Sequence, residues 1–340
     1  MAAPRRAKRS ARDTGARTAQ AYDGAVRVQL GELQRARILS AMFDVACERG
    51  AANVTVAHVV ERSGVSRRTF YEQFSDREDC FMAAFEQALS YASERVLSAY
   101  ESHGTWRERI RAALSALLIF LEEEPVIGRL LIVESLSGGP KTLARRGKVI
   151  ARITSAIDEG RSEAKAGSPQ PLMAEGIVGG VLTVIHSRLA QKGRPPLIEL
   201  LNPMMSMIAL PYLGSAAARR ELDRPLPPAT AQHNHSPLLA DPFKDAGMRL
   251  TYRTVRVLMA IAEQGGASNR QIGESAGITD QGQISKLLNR LKRIGLIENT
   301  GVYPGKGAPN SWALTETGRR ITDGIRAHTE GTTTTTKETR

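Results

Sequence analysis

Residues 55–74 read TVAHVVERSGVSRRTFYEQF, two short helical patterns on either side of a glycine. Thr55 stands at the N-cap position of the first, ahead of Val56, Val59 and Val60 on one face. Gly64 suits the left-handed backbone of a tight turn, Val65 plugs the core and Ser66 caps the second helix. In that helix Phe70 and Phe74 are spaced i, i+4 and turn inward, which leaves Arg67, Arg68, Thr69 and Tyr71 on other faces. Upstream, Ile38, Met42, Val45 and Ala46 form an apolar stripe that Gly50 closes. Two short helices around a glycine turn, the second opening with arginines, is the geometry that lays a helix in the major groove of DNA.

The chain has 340 residues, more than one compact domain ordinarily holds, so two or three domains are expected. Its net charge of +12 is uneven. Residues 1–30 carry seven basic groups against two acidic, residues 31–100 eight against ten, and residues 248–324 eleven against six. Positive ends around a near-neutral middle suit a protein that grips a polyanion, although a high charge also serves plain solubility. Residues 1–30 lack apolar periodicity and read as a disordered basic arm. Its Arg5, Arg6, Lys8, Arg9 and Arg12 are expected to follow the DNA backbone or enter the minor groove. Cys47 and Cys80 have no metal-type spacing and read as reduced helix residues. No run of about 18 apolar residues exists, and the charged N-terminus is not followed by an apolar stretch. No membrane span or secretory signal is expected, and the location expected is cytoplasmic and nucleoid-associated.

The longer stretch ILSAMFDVACERGAANVTVAHVVERSGVSRRTFYEQFSDREDCFMAAFEQAL, residues 38–89, resembles the DNA-binding region of the TetR family, with GVSRRTFYEQF its most specific part. The resemblance implies that Thr69 and Tyr71 grip phosphates and that Arg67 and Arg68 reach base edges. Thr55 and Ser66 join them as helix caps that also contact DNA. A basic residue opening the following helix, here Arg77, is implied as a phosphate contact, and Gln73 stands where the family commonly has histidine. Each has a duller reading: the hydroxyls as caps alone, Tyr71 as packing, and the arginines as solvated charge.

From Gln34 to about Leu213 the pattern is helical. One helix is expected from Asp76 to Tyr100, and others over Trp106–Glu122, Pro125–Leu136, Pro140–Asp158, Pro171–Gln191 and Pro196–Pro211, several opening with proline. The TetR resemblance implies that the last two pair with their mates in a four-helix bundle, giving a homodimer on a near-palindromic site. It also implies an effector pocket within the helical body, for which Phe120, Met173 and His186 are the candidate lining residues, with Trp106 further out. A small apolar or aromatic effector is expected; His186 as an ordinary core histidine is the alternative.

Pro225, Pro227, Pro228, Pro237 and Pro242 mark a linker, in which His233 and His235 lack the partners of a metal site. In a second unit Val255, Leu258, Met259 and Ala262 form an apolar stripe, Ser268 caps a short helix, and Thr279 caps a longer one running to about Ile294. That helix exposes Gln281, Gln283, Ser285, Lys286, Asn289 and Arg290. Residues 296–315, LIENTGVYPGKGAPNSWALT, read as a strand, a Gly/Pro-rich tip and a strand. With the LTETG segment at 314–318, the stretch resembles a MarR-type winged helix, with Lys306 and Asn310 on the wing or at phosphates. Use of the wing for protein contact is the alternative.

The expected fold is mainly α. A TetR-like three-helix helix-turn-helix (31–78) follows the arm (1–30) and leads into a helical dimerisation and effector-binding bundle (79–213). A linker (214–247), a winged helix-turn-helix with a small β-hairpin (248–327) and a disordered tail (328–340) complete the chain. No phosphate-cradling glycine loop, paired nucleophile and base, or metal cluster is present in the sequence, so no enzyme activity, cofactor or metal is expected. The expected function is a DNA-binding transcription regulator acting on double-stranded DNA, with an architectural DNA-bridging protein as the other class.

Overall fold

The computed structural model describes residues 30–102, 104–164, 169–191, 193–227, 251–301 and 310–323. Residues 1–29, most of the expected linker with His233 and His235, Lys306 with the hairpin tip, and the tail 328–340 lie outside them. The described chain is mainly helical, with one two-stranded sheet. It divides into two compact units, one gathering 30–38, 63–73, 251–301 and 310–323, the other 39–62 and 74–227. The first helix, α1 (residues 30–49), contributes to both.

The larger unit is all helix. After the 3-10 turn Ala51–Asn53 and α2 (Val56–Ser63) come α4 (Arg77–Glu101), α5 (Trp106–Glu123), α6 (Pro125–Ile132), α7 (Pro140–Asp158), α8 (Met173–Ala190), α9 (Leu201–Leu213) and α10 (Ser215–Leu222). The intervening α3 (Arg67–Gln73) belongs to the other unit. Asp76 caps α4 by accepting from the Asp79 amide at 2.8 Å, and prolines stand at the first turns of α6 and α7, as the sequence pattern predicts. The expected Pro125–Leu136 helix stops at Ile132 and tightens into a 3-10 turn, Glu134–Ser137. Glu134 is buried there because its carboxylate accepts from the Ala51 amide at 2.8 Å and pairs with Arg129 at 3.1 Å.

Trp106 is a correction. It sits in the core, 1% exposed, its indole donating to the Ala156 carbonyl at 2.9 Å and its ring 5.0 Å from that of Tyr212. A Cβ on Gly160 would meet that ring at 2.5 Å, so the close approach requires glycine. Burial and Asp158, which accepts from the Tyr212 hydroxyl, push that phenol up to about 12. Cys47 is likewise pushed up to about 12, by burial and then by Glu134, which leaves it a protonated, half-buried thiol.

The expected linker 214–247 is also corrected at its start. Residues 215–222 form α10 against α9, because Ala217 and Ala218 pack inward and Glu221 anchors the helix from within. The Glu221 carboxylate, 1% exposed, accepts from Arg111 at 2.7 Å and is flanked by Arg107 at 3.5 Å and Arg224 at 3.8 Å. Arg111 donates its second arm to Asn202 at 2.6 Å. Burial holds the Arg111 proton affinity below its ordinary value, and Glu221 opposes that shift.

The smaller unit sets α11 (Tyr252–Glu263), α12 (Asn269–Ser275) and α13 (Gln281–Arg293) ahead of β1 (Ile297–Asn299) and β2 (Trp312–Leu314), which pair antiparallel. A last helical stretch covers residues 316–323. Val255, Leu258, Ile272, Ile284, Leu288, Leu291 and Trp312 form the core, joined by Leu30 and Leu33 from the start of α1. Ser268 and Gln271 make a reciprocal capping box on α12. The cap of α13 is Asp280 rather than Thr279; its Oδ1 accepts from the Gly282 and Gln283 amides at 2.7 and 3.0 Å, and its charge faces the helix N-terminus.

Removing one partner of the buried pair strands the other charge. Glu221→Ala is expected to lower the unfolding free energy of the helical unit by about 3 kcal/mol in urea titrations. The apolar double replacement Arg111→Met/Glu221→Leu recovers most of that loss, and equal instability of the two variants contradicts the account.

Candidate nucleic-acid interface

The α3 helix is short, so its orientation comes from packing and not from its own hydrogen bonds. Gly64 turns the chain at φ +66°, Val65 is buried, and Ser66 Oγ accepts from the Thr69 amide at 3.0 Å. The Ser66 and Thr69 hydroxyls also meet at 2.9 Å, which fixes the Thr69 side chain at the helix mouth. Phe70 and Phe74 are buried, while Arg67, Arg68, Tyr71 and Glu72 are exposed, Tyr71 at 57%. The Tyr71 ring stands edge-on to Phe70 at 5.5 Å, which braces it without covering it.

Arg68 Nε donates to Glu72 at 2.8 Å across one turn of the exposed face, and this hydrogen bond raises the Arg68 pKa. Sequence reasoning passed over Glu72, whose carboxylate stands on the surface proposed to face phosphates. Gln73 is half-buried; its carbonyl accepts from Arg35 at 3.5 Å and its amide lies beside Gly31. Thr55 Oγ1 accepts from the His58 amide at 3.3 Å and caps α2. Arg77 is half-buried and turned inward, with Nη1 donating to the Ala51 carbonyl at 2.7 Å and Nη2 paired with Glu78 at 3.4 Å.

Residues 38–84 match the family model described as bacterial regulatory proteins, tetR family. The N-terminal helix-turn-helix is of the TetR family. A curated relative, the HTH-type transcriptional activator FasR of Mycolicibacterium smegmatis, is 24% identical over 124 residues. That match spans 36% of this chain and 57% of the relative's length. Among solved structures, the fatty acid degradation regulator FadR from Bacillus halodurans is 15% identical, covers 53% of this chain and 97% of its own, and superposes with a TM-score of 0.47. The regulator FadR from Bacillus subtilis in complex with stearoyl-CoA is 18% identical with a TM-score of 0.45, covering 51% of this chain and 97% of its own.

Outside the TetR region, α13 exposes Gln281, Gln283, Lys286, Asn289 and Arg290 along one side. Gln283 accepts from Arg253 Nη1 at 3.0 Å, and a groove of about 320 Å³ runs past Arg253, Lys286 and Arg290. Arg253 escaped the sequence reading because it lies on α11, 30 residues before its partner. Ser285 and Asn310 are tied into a polar knot: Asn269 donates to Ser285 at 3.1 Å, and Asn269 Oδ1 accepts from Trp312 Nε1 at 2.6 Å and from Asn310 at 3.3 Å. Asn310 in turn accepts from Asn299 at 2.9 Å, so it closes the base of the strand pair.

In the helical unit, a groove of about 480 Å³ is lined by Leu136, Arg146, Ile150, Glu175, Leu182 and His186, among others. Of the three residues expected at an effector pocket, His186 lines it. Phe120 is fully buried against Tyr91 at 5.6 Å, and Met173 is half-buried at the start of α8.

On a specific duplex, Arg68→Ala is expected to weaken binding about tenfold, the cost of one base contact. Glu72→Gln is expected to tighten binding and steepen its salt dependence, because an acid leaves a surface proposed to face phosphates. Fluorescence anisotropy over a salt series checks both signs, and weaker binding by the Glu72 variant contradicts this geometry.

Proposed function

We propose that the chain is a homodimeric transcriptional repressor that reads a near-palindromic operator with α3 and releases it when a small molecule occupies the helical body. The single observation that carries the proposal is the exposed Arg67, Arg68 and Tyr71 face of a TetR-family helix whose other side is locked by Phe70 and Phe74. Dimerisation is supported by exposed apolar side chains on α8 and α9: Val184, Met207 and Leu210. A Cβ added at Gly180 would meet only the tip of Met207, at 3.9 Å, so this glycine keeps the surface of α8 low.

The unit around α13 is proposed as a winged helix of MarR type that binds a second stretch of DNA and adds avidity. Its support is the order of three helices and an antiparallel strand pair, the acid-free exposed face of α13 and the basic groove beside it. Activation is a second reading, favoured by one observation: the curated relative FasR is named an activator. A promoter reporter distinguishes the two by the sign of its response.

The direct test uses the full chain and a duplex selected from a random pool. Retention of that duplex against a thousandfold excess of random DNA is expected, with a stoichiometry of two chains per site. Equal competition by random DNA overturns the regulator reading and favours an architectural role.

A further inference from the structure

The start of α1 is built into a core whose other members come from the far end of the chain. Leu30 and Leu33 are 8% and 1% exposed, and they share one apolar cluster with Val255, Leu258, Ile272 and Trp312 of the unit around α13. Their i, i+3 spacing puts the two leucines on one stripe of the helix. The neighbouring stripe meets α3. A Cβ on Gly31 would lie 3.6 Å from Gln73 Nε2, and Arg35 donates to the Gln73 carbonyl at 3.5 Å. Gln73 is the last residue of α3. The same stretch of α1 therefore touches α3 with one stripe and the core around α13 with the other, and all three fall within one compact unit.

Elements joined by a tether alone sample many placements, whereas an apolar contact resists separation because opening it returns the leucines to water. We propose that the start of α1 is a docking element that holds α13 in fixed register with α3, so that each chain reads one continuous composite DNA site. The proposal rests on the reading of α13 as a DNA-contacting helix, and it narrows the kind of site expected. An outer element met by α13 stands at a set distance from the half-site met by α3. Two fixed elements cannot follow a change of spacing. About five inserted base pairs rotate the outer element by half a helical turn, and about ten restore its rotation but displace it by roughly 34 Å. A tethered element follows the DNA and recovers when about ten are inserted.

The experiment uses the full chain on the duplex it selects. The outer element is the set of bases whose protection disappears in the Lys286→Ala/Arg290→Ala variant. Inserting about five or about ten base pairs on both sides, between outer element and half-site, is expected to weaken binding about tenfold or more, to the level of that variant. Leu30→Ala/Leu33→Ala is expected to regain tolerance of the longer insertion. Hydrogen exchange reads the docking without DNA. Leu33→Ala should speed amide exchange several-fold in α11 and α12, whereas Leu39→Ala, on the same helix but in the other unit, should leave those amides unchanged. Undiminished affinity on the longer insertion overturns the fixed register while leaving the α13 contacts in place. Unchanged exchange in α11 and α12 of the Leu33→Ala chain overturns the docking. A selected duplex without an outer element overturns the second DNA contact and the composite site with it. The insertion series needs only the wild-type chain, so a leucine variant that fails to fold does not shelter the proposal.

Discussion

Phe70 and Phe74 are buried one turn apart, and their burial sets the rotation of α3 about its own axis. A helix turns about 100° per residue, so fixing Phe70 inward places Arg68 and Glu72 about 160° away, on the outer surface, with Tyr71 on a flank. A seven-residue helix has too little hydrogen bonding to hold itself, whereas each buried phenylalanine contributes about 2–3 kcal/mol. The outward face of α3 is thus a by-product of core packing. Ser66 and Gly64 act on the same element from its start, one by capping and the other by turning the chain.

Charge in this protein is arranged to different ends inside and outside. The Glu221 carboxylate is enclosed by arginines from α5 and from the chain after α10, which ties the last helix of the unit to its middle. Desolvation consumes much of such a cluster's Coulomb gain, so the intact cluster adds little stability while loss of one partner is costly. On α3 the exposed Arg68 and Glu72 are screened by water and stabilise little. On the proposed reading, Glu72 competes with DNA for the Arg68 guanidinium. Arg146 is the third arrangement, a half-buried cation with no hydrogen bond or ion pair among the described residues.

Where short-range chemistry decides structure, the sequence was readable. Pro125 and Pro140 open helices, Gly50 and Gly64 take positive φ, and Ser268 makes its cap. The i, i+4 phenylalanines gave the face of α3 correctly. The failures are of tertiary origin. α10 was hidden because Glu221 looks like a surface acid until Arg111, 110 residues away, is brought to it. Trp106, expected further out along an effector pocket, packs in the core, and nothing local reveals Gly160 beneath its ring. Asp280 and Thr279 are adjacent oxygen-bearing residues, and only the backbone decides which one caps α13. Arg253 lies 30 residues before Gln283, to which it donates, so no spacing rule could join the two.

The central claim, that the outer face of α3 enters the major groove, is tested most directly by methylation interference on the duplex the full chain selects. Methyl groups on guanine N7 project into that groove. Interference at guanines in both half-sites, lost when Arg67 and Arg68 are both replaced by alanine, is the predicted result. A pattern that ignores N7 methylation while the chain stays bound would contradict the account.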